Sequence, residues 1–278
     1  MQYRRTYKPT SIMRNNLRIE NPLTLEELQA KVPSAFATEA HPKMSERYSF
    51  VPTIQVVQDM LSLGWQIGNA FEVNARKGIG YQKHCVEFFK TDVTIERDGE
   101  LLYPTVILKN SHNGLSGFEF RIGIYRLVCS NGLVIADSEF GKLAIKHIGY
   151  NFGELAGTML EFVAKVDEMT QKVEKLMATE LPYEKVVEFA EKAVEIRNLG
   201  NKAISIDSML ELLEPHRKGD MGNSLWRVMN RVQENLLAGN FSTPNAEGKE
   251  RKARPIKNFE LDLDYNTKLW ELASEYAM

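Results

Sequence analysis

At 278 residues, 43% hydrophobic and 26% charged, the chain has the apolar content of a globular protein with one large domain or two modest ones. It has no run of about 18 apolar residues, and M-Q-Y-R-R-T-Y-K-P at the N-terminus has no apolar stretch behind its charges, so neither a membrane-spanning helix nor a secretory signal is expected. The net charge of −2 neither demands nor forbids a polyanionic partner, and Cys85 and Cys129 alone fit a reducing cytoplasm and are too few for a cysteine-built zinc site.

Charge is unevenly spread. Residues 1–152 carry 18 Lys and Arg against 15 Asp and Glu, whereas 153–278 carry 17 against 22. Arg4, Arg5, Lys8, Arg14 and Arg18 occupy 1–18 without an acid, and 249–257 hold five basic residues against Glu250.

In chain order, residues 1–52 read as an irregular arm punctuated by Pro22, Pro33 and Pro42, with a short helix at 24–31 opened by the capping-box pair Thr24 and Glu27. A helix follows at 53–63, with Thr53 as its expected N-cap, Ile54, Val57 and Leu61 on one face, and Gly64 as its end. The period then changes to two. Strands are expected at 65–75, 84–97, 101–109 and 118–129, with a short fifth at 132–136 and Asp98-Gly99 as a hairpin turn. The connections are too short for parallel crossovers, so the strands form a meander. From 154 onward the pattern is helical. Leu155, Met159, Phe162, Val166, Met169, Val173 and Leu176 repeat at steps of four and three, which serves either a helix packed inside the chain or a coiled-coil contact between subunits. Pro182 breaks it; helices follow at 183–199, 205–213 and 223–237, then a polar, basic loop or arm at 239–257, then a helix at 265–276. The predicted fold is α+β: an antiparallel β-meander of four to five strands flanked by helices, with a helical C-terminal half, divided at 1–52, 53–152 and 153–278.

Two stretches carry candidate chemistry. Gly78-Ile79-Gly80 follows Arg76-Lys77 but lacks the phosphate-loop pattern and opens no helix. It reads as a hairpin loop, continued by Tyr81, Lys83 and His84, in which basic and aromatic residues interleave as single-stranded nucleic acid requires. The second stretch, 109–135, contains Lys109, Asn110, His112, Arg121, Tyr125 and Arg126 around a polar turn and an alternating strand. Arg121 and Arg126 lie five apart and face opposite sides of a regular strand, so one meets a ligand while the other pairs with a carboxylate such as Glu119 or Asp137. Lys142, Lys146 and His147 form either a basic edge or a solvated surface. Cys85 points away from its neighbour His84, Cys129 reads as a small buried hydrophobe, and His41, His84, His112, His147 and His216 show no ligand spacing. Neither a catalytic nucleophile nor a metal or cofactor site is expected.

The segments S-E-R-Y-S-F-V-P-T (45–53), L-S-L-G-W (61–65), K-N-S-H-N-G (109–114), F-R-I-G-I-Y-R-L-V-C-S-N-G-L-V-I (120–135) and L-W-R-V-M-N-R-V-Q-E-N-L (225–236) together resemble a phage- and plasmid-like protein family of unknown function from bacterial mobile elements. The likeness spans nearly the whole chain and implies mobile-element biology. In architecture, a helix ending in Leu63-Gly64-Trp65, an antiparallel hairpin and strand, and a long helix are similar to the core of single-strand annealing recombination proteins.

The leading expectation is therefore a non-enzymatic protein of the bacterial cytoplasm that binds and anneals single-stranded DNA in phage or plasmid recombination. Arg76, Lys77, Lys83, Lys109, Arg121 and Arg126 would neutralise the backbone, with Asn110 and His112 beside them. Bases would stack on Tyr81 or Tyr125, and the heptad helix would build a homo-oligomer. The alternative is a mobile-element protein that binds and inhibits or regulates a host defence protein, which the near-neutral charge, acidic helical half and seam suit. An enzyme acting on nucleotides would rest on His112 and Arg121.

Overall fold

The computed structural model describes residues 17–97, 99–126, 131–134, 150–197, 204–245 and 247–277, without side chains at 131–134 and 259. Cys129, Asp137, Lys142, Lys146 and His147 lie outside the described residues. The chain forms two compact units, one of residues 16–170 and one containing 171–278.

The first unit is built on an antiparallel sheet: β1 (Gln66–Glu72), β2 (His84–Phe89), β3 (Ile95–Arg97), β4 (Glu100–Asn110), β5 (Glu119–Arg126) and β6 (Asn131–Val134). The order is β1-β2-β4-β5-β6, with β3 also on β4, so the expected meander is present with six strands among the described residues. The expected strand at 84–97 splits because a turn closed by Val93 N–H on the Lys90 carbonyl interrupts it. β2 then pairs with residues 105–110 of β4 and β3 with 100–102, which makes the eleven-residue β4 the backbone of the sheet.

Ahead of the sheet lie α1 (Leu25–Lys31), a 3-10 turn (Pro33–Phe36) and α2 (Thr53–Ser62). In α1 the capping box forms as expected: the Thr24 hydroxyl accepts from Glu27 N–H at 3.2 Å, and the Glu27 carboxylate accepts from Thr24 N–H at 3.0 Å. Helix α2 departs from expectation. Pro52 holds the N-cap position without a side-chain cap bond, and the buried face is Thr53, Val56, Val57 and Met60. The Thr53 hydroxyl is engaged by the sheet instead.

Residues 17–23 run along the β1 edge: Arg18 N–H donates to the Gly68 carbonyl and Leu23 N–H to that of Ile67, each at 2.8 Å. This covers hydrogen-bonding groups that would otherwise invite another strand. The Leu17 side chain takes the space a Cβ on Gly68 would need, 2.3 Å away, at the one register shift between β1 and β2.

The heptad pattern becomes two helices, α3 (Phe152–Ala164) and α4 (Val166–Ala178), separated at Lys165. Leu155, Met159, Phe162, Met169, Val173 and Leu176 are all buried within the single chain, and Phe162 packs against Trp65 at 5.6 Å. The seam is consumed by internal packing and is not free to build the expected coiled-coil contact. Among the described residues no helix is long and apolar enough to cross a membrane.

The second unit comprises the rest of α4, then α5 (Tyr183–Ile196), α6 (Ile206–Leu213), α7 (Leu225–Ala238), β7 (Ser242–Pro244), β8 (Glu250–Lys252) and α8 (Phe259–Tyr276). Helix α7 is buried on nearly every side, so its polar residues must be paired internally. Arg217 bridges to Glu234; Arg231 donates to the carbonyls of Asp220 and Gly222; Asn235 donates to those of Leu212 and Glu214 and accepts from His216 at 2.7 Å. Helix α8 begins six residues before the expected 265, because the Asn258 side chain accepts from Glu260 and Leu261 N–H and caps it.

Gly239 ends α7 with φ +72°, and a Cβ there would sit 2.3 Å from the Ala253 carbonyl oxygen. Gly239→Ala therefore combines left-handed strain with a clash against backbone and should cost at least ~2 kcal/mol. An unchanged chemical-denaturation midpoint for the variant would contradict this.

Candidate nucleic-acid interface

At one end of the sheet, the turn after β4 meets the start of α2 in a buried polar network. His84 Nδ1 lies 2.9 Å from the Gln82 carbonyl, which can only accept, so Nδ1 carries the proton and shares it with the Ser34 hydroxyl at 3.0 Å. His84 Nε2 is then bare and accepts the Thr53 hydroxyl at 2.8 Å. The Thr53 oxygen in turn accepts from Asn110 Nδ2 at 2.9 Å and from His112 Nε2 at 3.3 Å. Asn110 Nδ2 also reaches the Val51 carbonyl, and the Tyr48 hydroxyl donates to that of Ser111 at 2.8 Å. Both imidazoles are held neutral. Burial pushes His84 down to about 4, with the Gln82 carbonyl pulling the other way, and burial together with the neighbouring His84 pushes His112 down to about 3.

The loop between β1 and β2 is fixed onto this network. Gly80 N–H donates to the Gln82 side chain at 2.7 Å, and Gln82 Nε2 donates to Glu72 at 2.6 Å. The Tyr81 carbonyl accepts from His112 N–H at 3.0 Å, and the His112 carbonyl accepts from His41 N–H at 2.8 Å. The Tyr81 ring meets His41 edge to face at 5.0 Å. Arg76 and Lys77 are exposed on the loop, Lys83 is half-buried, and Lys43 and Arg47 are exposed on the neighbouring segment. Across residues 41–49, 73–83 and 110–118 the charged residues are Lys43, Arg47, Arg76, Lys77 and Lys83 against Glu46. These segments thus carry a net positive charge, and the half-buried Tyr81 ring belongs to the same loop as Arg76 and Lys77.

The other expected contact residues lie elsewhere. Lys109 is buried and bridges to Glu119 at 2.9 Å; Arg121 bridges to the same carboxylate at 2.7 Å. Burial works against ionising Glu119, but the Lys109 and Arg121 contacts outweigh it and hold its pKa below the usual range. Arg126 is buried and bridges to Glu100, and both arginines thus pair with carboxylates instead of one remaining for a ligand. Tyr125 is 3% exposed, in a cluster with Leu17, Phe89 and Tyr103. Asn110 and His112 are interior members of the network. Lys109 and Asn110 at the end of β4, His112 in the turn after it, and Tyr125 and Arg126 at the end of β5 are all buried, which leaves them out of reach of a surface polymer.

Sequence reasoning gave no role to Glu87, buried on β2 opposite Asn69. Burial raises its pKa to about 7, partly offset by the Thr105 hydroxyl. A carboxyl flanked by Val86 and Phe88 in a fully buried strand is the one available signal. Among the described residues no group of three or more His, Cys, Asp or Glu is placed to hold a metal ion, and Cys85 is a buried thiol outside any disulfide.

A family model described as "Domain of unknown function (DUF932)" matches residues 40–270. The chain is 31% identical over 262 residues to UPF0380 protein YafZ of Escherichia coli (strain K12), covering 93% of each chain. It is 30% identical, with the same coverage, to UPF0380 protein YfjQ of that organism. No solved structure matches. The segments 45–53 and 109–114, which carried the family resemblance, meet in the His84–Thr53–His112 network.

Proposed function

The chain belongs to the DUF932 family, a domain of unknown function, and we propose that it binds single-stranded DNA in mobile-element recombination through the basic loop that carries Tyr81. The observation that carries this reading is the loop itself. Arg76 and Lys77 are exposed on a loop whose later part, at Gly80 to Gln82, is hydrogen-bonded to the buried network, and the half-buried Tyr81 ring of that loop meets His41. Exposed cations in the same loop as an aromatic ring suit phosphate neutralisation and base stacking, which together need no sequence preference. The neutral histidines hold the loop in place and contribute no charge to it.

The test is fluorescence anisotropy with a labelled oligo-dT across a salt series. Each phosphate contact to a single strand adds about 0.7 to the slope of log affinity against log salt, so Arg76→Ala/Lys77→Ala should flatten it by ~1.4. Tyr81→Ala should weaken binding by ~1–3 kcal/mol, or about 5- to 150-fold, with the slope unchanged. A double variant with the wild-type slope would contradict this site.

A second reading, a protein that inhibits or regulates a host protein, is favoured by one feature. Phe152, Leu160 and Val163 are exposed at helical spacing on α3. Capture of one stoichiometric host protein, lost in Leu160→Glu, with no oligonucleotide binding, would select it.

A further inference from the structure

The basic stretch expected as a loop at 239–257 contains an ordered β-hairpin. β7 pairs with β8 in the register Ser242↔Lys252, Thr243↔Arg251 and Pro244↔Glu250. Its base is held to the unit: Ala253 N–H donates to the Phe241 carbonyl at 2.8 Å and Ile256 N–H to that of Leu237 at 2.9 Å. The Arg197 guanidinium donates to the Leu236 and Arg254 carbonyls and lies 5.4 Å from the Phe241 ring centre. The turn is closed by Asn245, whose side chain accepts from the N–H groups of Glu247 and Lys249 at 2.9 Å while its own N–H donates to the Lys249 carbonyl. Side chains 247–252 are all exposed.

The two-residue period sorts the charges. Arg251 lies in the middle of β8 and Lys249 immediately precedes the strand, its carbonyl held by Asn245 N–H; extended spacing puts the two on the face opposite Glu250 and Lys252, where Lys252 is tied to Glu211 at 2.5 Å. Among the described residues no carboxylate pairs with Lys249 or Arg251. Two exposed cations ~7 Å apart, close to the step between successive phosphates of an extended strand, stand on a hairpin whose base is hydrogen-bonded to its unit. The exposed tip carries no large apolar side chain, which disfavours a lipid surface and the apolar anchor that a protein interface centres on.

We propose that the Lys249–Arg251 face of this hairpin is a second contact for the phosphate backbone of single-stranded DNA. It rests on the reading of the chain as a DNA-binding protein, but not on the Tyr81 loop as the site. The loop and the hairpin belong to different units, and the contribution of each to the salt slope is read from its own variant.

The full chain carrying Lys249→Ala/Arg251→Ala is titrated with labelled oligo-dT beside the wild type. The expected result is a slope flatter by ~1.4 and an affinity about 25-fold lower at about 0.1 M salt, with an unchanged melting temperature because both side chains are exposed. Lys252→Ala, on the opposite face and already paired, should leave the slope at the wild-type value. A hairpin variant matching the wild type, with Arg76→Ala/Lys77→Ala flattened, overturns this inference and leaves the loop site standing. A flattened hairpin variant with an unaffected loop variant supports the hairpin and removes the loop site. Poly-glutamate displacing the oligonucleotide at equal charge concentration overturns the assignment to nucleic acid, and a folded wild type that binds no oligonucleotide overturns both readings.

Discussion

Arg126→Met should cost the first unit about 3–5 kcal/mol, because it strands the Glu100 carboxylate in a site from which water is largely excluded. The Arg126 side chain is 3% exposed and that of Glu100 12%. Glu100 sits beside the β3–β4 turn, and Arg126 pairs across from Leu102 near the end of β5, so the bridge fastens two strands at the same end of the sheet. Arg126→Met/Glu100→Gln removes both charges and should recover most of the loss, as replacement of buried ion pairs commonly does. Chemical denaturation of the two variants decides it. A cost under about 1 kcal/mol for the single variant, the value of an exposed pair, would contradict the buried bridge. The same single variant, where folded, should bind oligonucleotide like the wild type, since its guanidinium is inside.

The pH dependence of stability should come from three buried groups acting with opposite signs. His84 and His112 take a proton near 6.5 when unfolded but only at about 4 and about 3 when folded. The unfolded chain therefore binds more protons in this window. The stability they provide is complete above pH 6.5 and is lost as pH falls toward 4. Glu87 runs the other way: its folded value of about 7 lies above the ordinary 4.5, so its contribution is complete below pH 4.5 and is lost as pH rises through 7. Between pH 6.5 and 5 two histidines oppose one carboxyl, and the net loss is ~1.4 kcal/mol per pH unit, or about 2 kcal/mol. Glu87→Gln removes the opposing group. It should stabilise the protein by ~3 kcal/mol at pH 8, leave it nearly unchanged below pH 4.5, and roughly double the acid loss over the same window. Thermal melting against pH measures both. A lower melting temperature for Glu87→Gln at pH 8 would contradict the buried, costly carboxylate.

Much of the fold was readable from local patterns. The capping box of α1 depends on residues three apart, and the meander follows from Asp98-Gly99 and short connections. What depended on distant partners was not. Thr53 has the look of an N-cap, yet its hydroxyl is taken by His84, Asn110 and His112 from other elements. The sequence allows the pairing of Arg121 with Glu119, but the β4–β5 register that brings Glu100 near Arg126 is absent from the linear pattern, so sequence reasoning still assigns one arginine to a ligand. A heptad step serves packing on a sheet as well as packing on a partner helix, so the seam could not say that Phe162 meets Trp65. The hairpin within 239–257 escaped because its strands are three residues long, and Pro244 and Pro255 read as loop. Of the candidate site, the Arg76–Lys83 loop was legible because its chemistry is contiguous; the network that supports it is assembled from five separate segments.

The proposed contact is made by exposed cations, and not by the carboxylate-paired arginines of β5. The most direct measurement is the wild-type affinity for labelled oligo-dT between about 50 and 200 mM salt. Contacts from Arg76, Lys77 and Lys83 predict a slope near −2 and a loss of about 16-fold over that range. No binding by folded protein at 50 mM salt, or binding that does not weaken as salt rises, would contradict the account.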